Sequence, residues 1–223
     1  MLRQPFGARG IVLFAHGSGS GRLSPRNNYV AERLSEAGVA SLLFDLLTAD
    51  EEQIDSATAG LRFDIPLLAN RLALATVWTQ GHRDLRDLTI GYFGASTGAA
   101  AALVAAARIP EIAAIVSRGG RPDLAGAVLK AVRAPTLLIV GADDPQVLAL
   151  NRSALEQLSC EARLEVIPHA THLFEEPGTL ERVASLAGDW FQHHLGAQIG
   201  APRHGRSPRH TGSDLSQAEV ESG

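Results

Sequence analysis

Three short stretches carry residue types and spacings that do chemistry. The first is Gly94-Ala95-Ser96-Thr97-Gly98, a G-x-S-x-G pattern that follows the apolar run 88–93 and opens the small-residue run 97–107. A nucleophile on a sharp strand-to-helix turn projects its hydroxyl only if the two backbones pass very close, so the positions two away must be almost free of side chain. Ser96 then stands at the amino end of a helix, whose N–H groups and dipole favour negative charge. The plain alternative is a glycine-rich turn with a serine N-cap. The second stretch, Gly141-Ala142-Asp143-Asp144-Pro145-Gln146-Val147, offers a carboxylate after the run 136–141. The third, Pro168-His169-Ala170-Thr171-His172-Leu173-Phe174, offers a histidine after the run 163–167. A serine hydroxyl is a weak nucleophile until a histidine takes its proton, and the resulting imidazolium needs a carboxylate partner. The order Ser, acid, His, each after a strand, is the order of the serine-elbow fold.

Elements able to hold these residues follow from hydrophobic patterning. Runs at 10–15, 39–45, 88–93, 112–117, 136–141 and 163–167 are apolar on successive residues, as in Ile11-Val12-Leu13-Phe14. Strands of that kind are covered on both faces. Helical patterns near 25–37, 65–80, 97–107, 123–132, 147–158 and 178–194 alternate with them. The reading is α/β: a doubly wound, mainly parallel sheet of about six strands with helices on both faces and right-handed crossovers. Ligands of such sheets sit beyond the carboxyl ends of the strands, where all three stretches fall. The acidic segment 46–64 lacks a clear pattern and is long for a loop, so a short helix or a functional lid is expected there.

The motifs resemble the α/β-hydrolase superfamily, nearest its small, lid-poor, dienelactone-hydrolase-like branch, from about Gly10 to Leu195. The resemblance rests on His16-Gly17 after the first strand, the elbow at Ser96, Gly141-x-x-Asp144-x-x-Val147 and Ala170-Thr171-His172. It implies a triad of Ser96, Asp144 and His172, with Asp143 as a neighbour not dismissed and His169 as a loop residue. It further implies an oxyanion hole from the backbone N–H groups of Ser18 and Thr97. The chain departs from the family pattern in two ways. Only nine residues precede the His16 strand, where the superfamily carries an antiparallel hairpin, so that hairpin is expected to be missing and a sheet edge bare. The nucleophile is a serine where typical dienelactone hydrolases use cysteine; Cys160 lies outside the elbow.

The implied activity is hydrolysis of a small carboxylic ester, thioester or lactone through an acyl-enzyme, with no cofactor, no metal and no large cap domain. Its rivals are a non-catalytic binding or partner domain of the same fold and an acyltransferase. Arg22, Arg118 and Arg121, with Arg26, lie in loops expected at the Ser96 rim and are candidates to receive a substrate carboxylate or phosphate. The competing expectation is that they are solvated, or paired with Asp123 and the acidic segment. A net charge of −4, from 20 Lys+Arg against 24 Asp+Glu, with no basic block, argues against a nucleic-acid partner. The absence of an 18-residue apolar run argues against a membrane span, and the first residues lack a secretory h-region. A cytoplasmic monomer or homodimer with a small-molecule substrate is expected. Residues 1–9 read as a short lead, 10–196 as the hydrolase domain and 197–223 as a disordered tail.

Overall fold

The computed structural model describes residues 1–196. The sequence reading of 197–223 as a disordered tail lies outside the described residues. Seven strands form one sheet: β1 (Leu2–Arg3), β2 (Gly10–Ala15), β3 (Ala40–Leu43), β4 (Thr89–Ala95), β5 (Ala114–Arg118), β6 (Thr136–Gly141) and β7 (Ala162–Ile167). Their spatial order is β1-β3-β2-β4-β5-β6-β7. All neighbours pair in parallel except β1, which is antiparallel to β3. The helices are α1 (Pro25–Glu36), α2 (Ala49–Thr58), α3 (Ile65–Gly81), α4 (Thr97–Arg108), α5 (Pro145–Gln157) and α6 (Thr179–Gly196).

The apolar runs become central strands because both faces are covered. Every residue of β2 and of β6 is buried. Residues Ile11 and Leu13 face a core with α3 and α4, whereas Val12 and Phe14 face one with α1 and α6. This alternation at period 2 sends successive side chains of one strand into different cores.

Two sequence expectations are amended and a third is met. The sheet among the described residues has seven strands where about six were expected, because the edge at β3 is not bare. No hairpin precedes β2; instead Leu2–Arg3 pair with Ser41 and Leu42, and the Met1 amino group donates to the Leu43 carbonyl at 2.6 Å. The segment 46–64 does contain a short helix, α2, held by a capping box between Thr48 and Glu51 and followed by a 3-10 turn, Leu61–Phe63. The pattern near 123–132 is 3-10 rather than α, Pro122–Ala131, broken at Gly126 where φ is +56°.

Helix α4 lies unusually deep, with all ten residues from Thr97 to Ala106 buried. It can do so because its first turn rests directly on backbone. A Cβ added at Gly98 would lie 2.1 Å from the Ala15 carbonyl oxygen and 2.5 Å from that of His16. Neither is a flexible group that can move aside. Gly98→Ala is therefore expected to cost at least the roughly 1–3 kcal/mol typical of overpacking, read as a lowered urea midpoint or loss of folded protein.

Candidate active site

Ser96 joins β4 to α4 with φ +52° and ψ −121°, a conformation that L residues adopt only under constraint. Two approaches impose it. A Cβ on Gly94 would meet the Ala99 Cα at 2.4 Å, and Gly98 sits on β2 as described above. The backbone is also tied laterally: the Ser96 N–H donates to the Arg118 carbonyl at 3.2 Å, and the Ser96 carbonyl accepts from Arg121 N–H at 3.1 Å. The alternative of a serine N-cap is not realised, since the Ser96 side chain makes no capping hydrogen bond. Its hydroxyl is left for other work.

Across from it, His172 follows β7 and its Nδ1 lies 2.7 Å from Asp144 Oδ2. An ionised carboxylate only accepts, so Nδ1 carries the proton and Nε2 is the lone-pair nitrogen. Asp144 is the N-cap of α5, accepting from Val147 N–H at 3.4 Å through its other oxygen. Asp143, one residue earlier, is exposed and bonds through its backbone to the Ala170 carbonyl. His169 is an exposed turn residue at φ +61°. The structure thus brings Asp144 and His172 together and leaves Asp143 and His169 outside. Ser96 Oγ makes no hydrogen bond to the imidazole here; such contacts are often long before a substrate tightens them. Gly119 keeps the imidazole close to the elbow: a Cβ there would stand 3.5 Å from His172 Nδ1 and 3.2 Å from its carbonyl oxygen.

Ser18 and Thr97 sit side by side on the third flank, their hydroxyl oxygens 3.2 Å apart. Thr97 is the first residue of α4, so its N–H has no intrahelical acceptor and points out of the helix start. Gly17 brings the loop against the nucleophile, with 3.0 Å between a Cβ placed there and the Ser96 Cβ. His16 fixes this loop from behind. Its Nδ1–H donates to the Gly17 carbonyl at 3.0 Å, and its Nε2 accepts the Leu46 N–H at 2.9 Å. That pattern requires a neutral ring, and burial lowers its pKa below the ordinary histidine value, opposed by the Gly17 contact and by Glu52.

A cavity of about 20 Å³ opens beside Ser18 and Thr97, floored by Leu47 and Leu68 and walled by Asp55 and Arg62, which is room for roughly one water. Helix α2 covers it, clamped by Asp55–Arg62 at 2.7 Å and by Glu51–Arg71 at 2.7 Å. These residues escape sequence reasoning because the segment has no periodicity; its acids were expected to meet the rim arginines and instead meet Arg62 and Arg71. The rim arginines divide. Arg22 pairs with Asp45, and Arg121 forms a bidentate pair with Asp123 at 2.9 and 2.7 Å. Arg118, the last residue of β5, is buried with its Nη1 lacking any partner. Cys160 is half-buried, two residues before β7, at the opposite end of that strand from His172. Among the described residues no cluster of His, Cys, Asp or Glu is placed to hold a metal ion, and no helix is long and apolar enough to cross a membrane.

An elbow serine after the fourth strand, an acid after the sixth, a histidine after the seventh and helices on both faces of an open parallel sheet define the α/β-hydrolase fold. No family model matches the chain. It is similar to a crystal structure of dienelactone hydrolase from Anabaena variabilis, 62 % identical, with a TM-score of 0.85, covering 87 % of this chain and 90 % of that one. By that likeness the chain belongs to the dienelactone-hydrolase-like branch of the α/β hydrolases. Est1E from Butyrivibrio proteoclasticus shares the fold at 18 % identity, with a TM-score of 0.71 over 87 % of this chain and 93 % of its own. Two curated relatives from Mycobacterium tuberculosis, strains CDC 1551 and H37Rv, are each 59 % identical over 196 residues, 87 % of this chain. Both carry the name "Putative phosphoribosyl transferase", and the chain spans 43 % of their length.

The His16 geometry predicts a pH dependence. Because the folded pKa is depressed, the unfolded chain binds this proton first, so the contribution is complete above about 6.5 and is lost as pH falls from there through the folded value. Stability measured by urea unfolding is expected to decline below pH 6.5, and His16→Gln, whose side-chain oxygen can still accept from Leu46, is expected to flatten that decline.

Proposed function

We propose that this domain is a serine hydrolase that cleaves a small carboxylic ester, thioester or lactone through an acyl-enzyme on Ser96. The observation that carries the reading is the 2.7 Å bond from His172 Nδ1 to Asp144, which leaves Nε2 free to act as a base, in a fold whose elbow serine caps nothing. In the first half-reaction His172 Nε2 takes the Ser96 proton as Oγ bonds to the substrate carbonyl carbon. The oxyanion is received by the N–H groups of Ser18 and Thr97 at the start of α4. The bond to the leaving oxygen or sulfur then breaks, and His172 returns the proton to it. In the second half-reaction His172 deprotonates water, which attacks the acyl carbon and releases the acid with Ser96 restored. No step calls for a metal or cofactor.

The transferase name of the mycobacterial relatives belongs, in this reading, to the larger part of their length that this chain does not match. Transfer of the acyl group to an acceptor other than water uses the same residues. A non-catalytic binding role is disfavoured because a scaffold does not require Asp144 on His172.

A fluorophosphonate probe is expected to label the wild-type protein and not Ser96→Ala. Unchanged labelling of folded Ser96→Ala would sink the assignment. Asp144→Asn is expected to lower kcat on a short-chain ester by about 10³- to 10⁴-fold, because it disturbs the histidine tautomer. Asp143→Asn is expected to stay within about tenfold of wild type, since its side chain does not meet the imidazole. A larger loss for Asp143→Asn than for Asp144→Asn would reverse the assignment of the acid.

A further inference from the structure

Arg118 is hard to explain as a structural residue. The residue is only 8 % exposed, its Nη1 is buried without a hydrogen-bond partner, and among the described residues no carboxylate pairs with it. An uncompensated buried guanidinium is costly, and an apolar side chain of similar size would serve packing better. It lies on the strand face of Ala114 and Val116, which belong to the core beneath α1 and α6, so it points toward the first turn of α1. There stands Arg26, a second guanidinium whose Nε is also buried and unpartnered. Burial, and then the charge of Arg26, draws the Arg118 pKa down to about 10, which still leaves it protonated at neutral pH.

Both arginines connect to the reacting groups, Arg118 through its backbone and Arg26 through its carboxylate partner. The Arg118 carbonyl holds the Ser96 N–H and the next residue, Gly119, abuts His172. Arg26 donates to Glu175 at 2.8 Å, three residues past His172. Glu175 is the one carboxylate in this group, and its side chain is 63 % exposed, so the pair is a weak, solvent-screened one that an incoming anion can displace. One bidentate arginine suffices for a planar carboxylate. Two guanidiniums arriving from a strand end and from a helix start suit a tetrahedral group with three peripheral oxygens and close to two negative charges.

We propose that Arg118 and Arg26 form a phosphate-binding subsite beside Ser96, and that the ester or lactone cleaved here carries a phosphomonoester. The substrate part rests on the hydrolase reading above; the binding part does not. Inorganic phosphate is therefore titrated first into the Ser96→Ala protein by calorimetry at constant ionic strength, with chloride and acetate as comparison anions. Saturable binding of phosphate in preference to both is expected. Arg118→Met is expected to weaken it roughly ten- to hundredfold, the usual loss for a charge-assisted contact, and Glu175→Gln to tighten it. Should Arg118→Met fail to fold, Arg26→Gln tests the same subsite from the more exposed partner and is expected to weaken binding in the same direction. Kinetics then compare a phosphate-bearing ester with a neutral ester of the same acyl group, Arg118→Met raising KM selectively for the former. Binding no stronger than acetate or chloride, or unaffected by a folded arginine variant, overturns the subsite. Equal KM changes for the two esters overturn the substrate assignment. Phosphate binding in a protein whose wild type takes no fluorophosphonate label would instead retire the hydrolase reading and leave the subsite standing.

Discussion

The site depends on how closely α4 approaches β2 and β4. Ser96 can hold φ +52° only because Gly94 and Gly98 remove the two side chains that would otherwise keep strand and helix apart. The strain of such a backbone, of order 1–3 kcal/mol, is offset by burying all of the first ten residues of α4. One constraint thereby does two jobs. It leaves the serine hydroxyl without a capping role at the helix start, and it brings Thr97 against Ser18, their hydroxyl oxygens 3.2 Å apart.

The other groups are placed by the carboxyl ends of neighbouring strands. Because β4, β5, β6 and β7 are consecutive in the sheet, the residues after them arrive side by side: Ser96, Arg118 with Gly119, Asp144, and His172. The ladder bonds set their spacing, and short turns convey it to the side chains. On the opposite side β2 delivers His16, which works as a neutral brace between the Gly17–Ser18 loop and the turn after β3. It titrates with stability, whereas His172 is the proton carrier of the proposed hydrolysis. Two histidines of the same fold are separated in function by which nitrogens have acceptors and which have donors.

Electrostatically the rim is mostly self-neutralised. Arg22, Arg62, Arg71 and Arg121 each meet a carboxylate. Among the described residues Arg118 stands apart, because its strand position buries it without a carboxylate partner. That unpaired charge is the one on which the proposed phosphate subsite rests.

The amino-acid sequence by itself determined the α/β class, the strand-terminal placement of Ser96 and of a His/Asp pair, and the burial of α4. Those features live in local patterns: successive apolar residues, glycines two away from a serine, and an all-small helix. Local pattern alone did not separate Asp143 from Asp144, which only the family resemblance favoured, since adjacent residues after a strand differ only in the direction that the turn sends them. It also missed the two-residue edge strand β1, which is too short to carry periodicity, and the lining of the small cavity by α2, whose partners are Arg62, just past its end, and Arg71 on α3. Four rim arginines looked alike in the linear chain. Tertiary structure separated them, because whether a charge finds a partner depends on which elements pack together, and that is a property of the fold rather than of any local window.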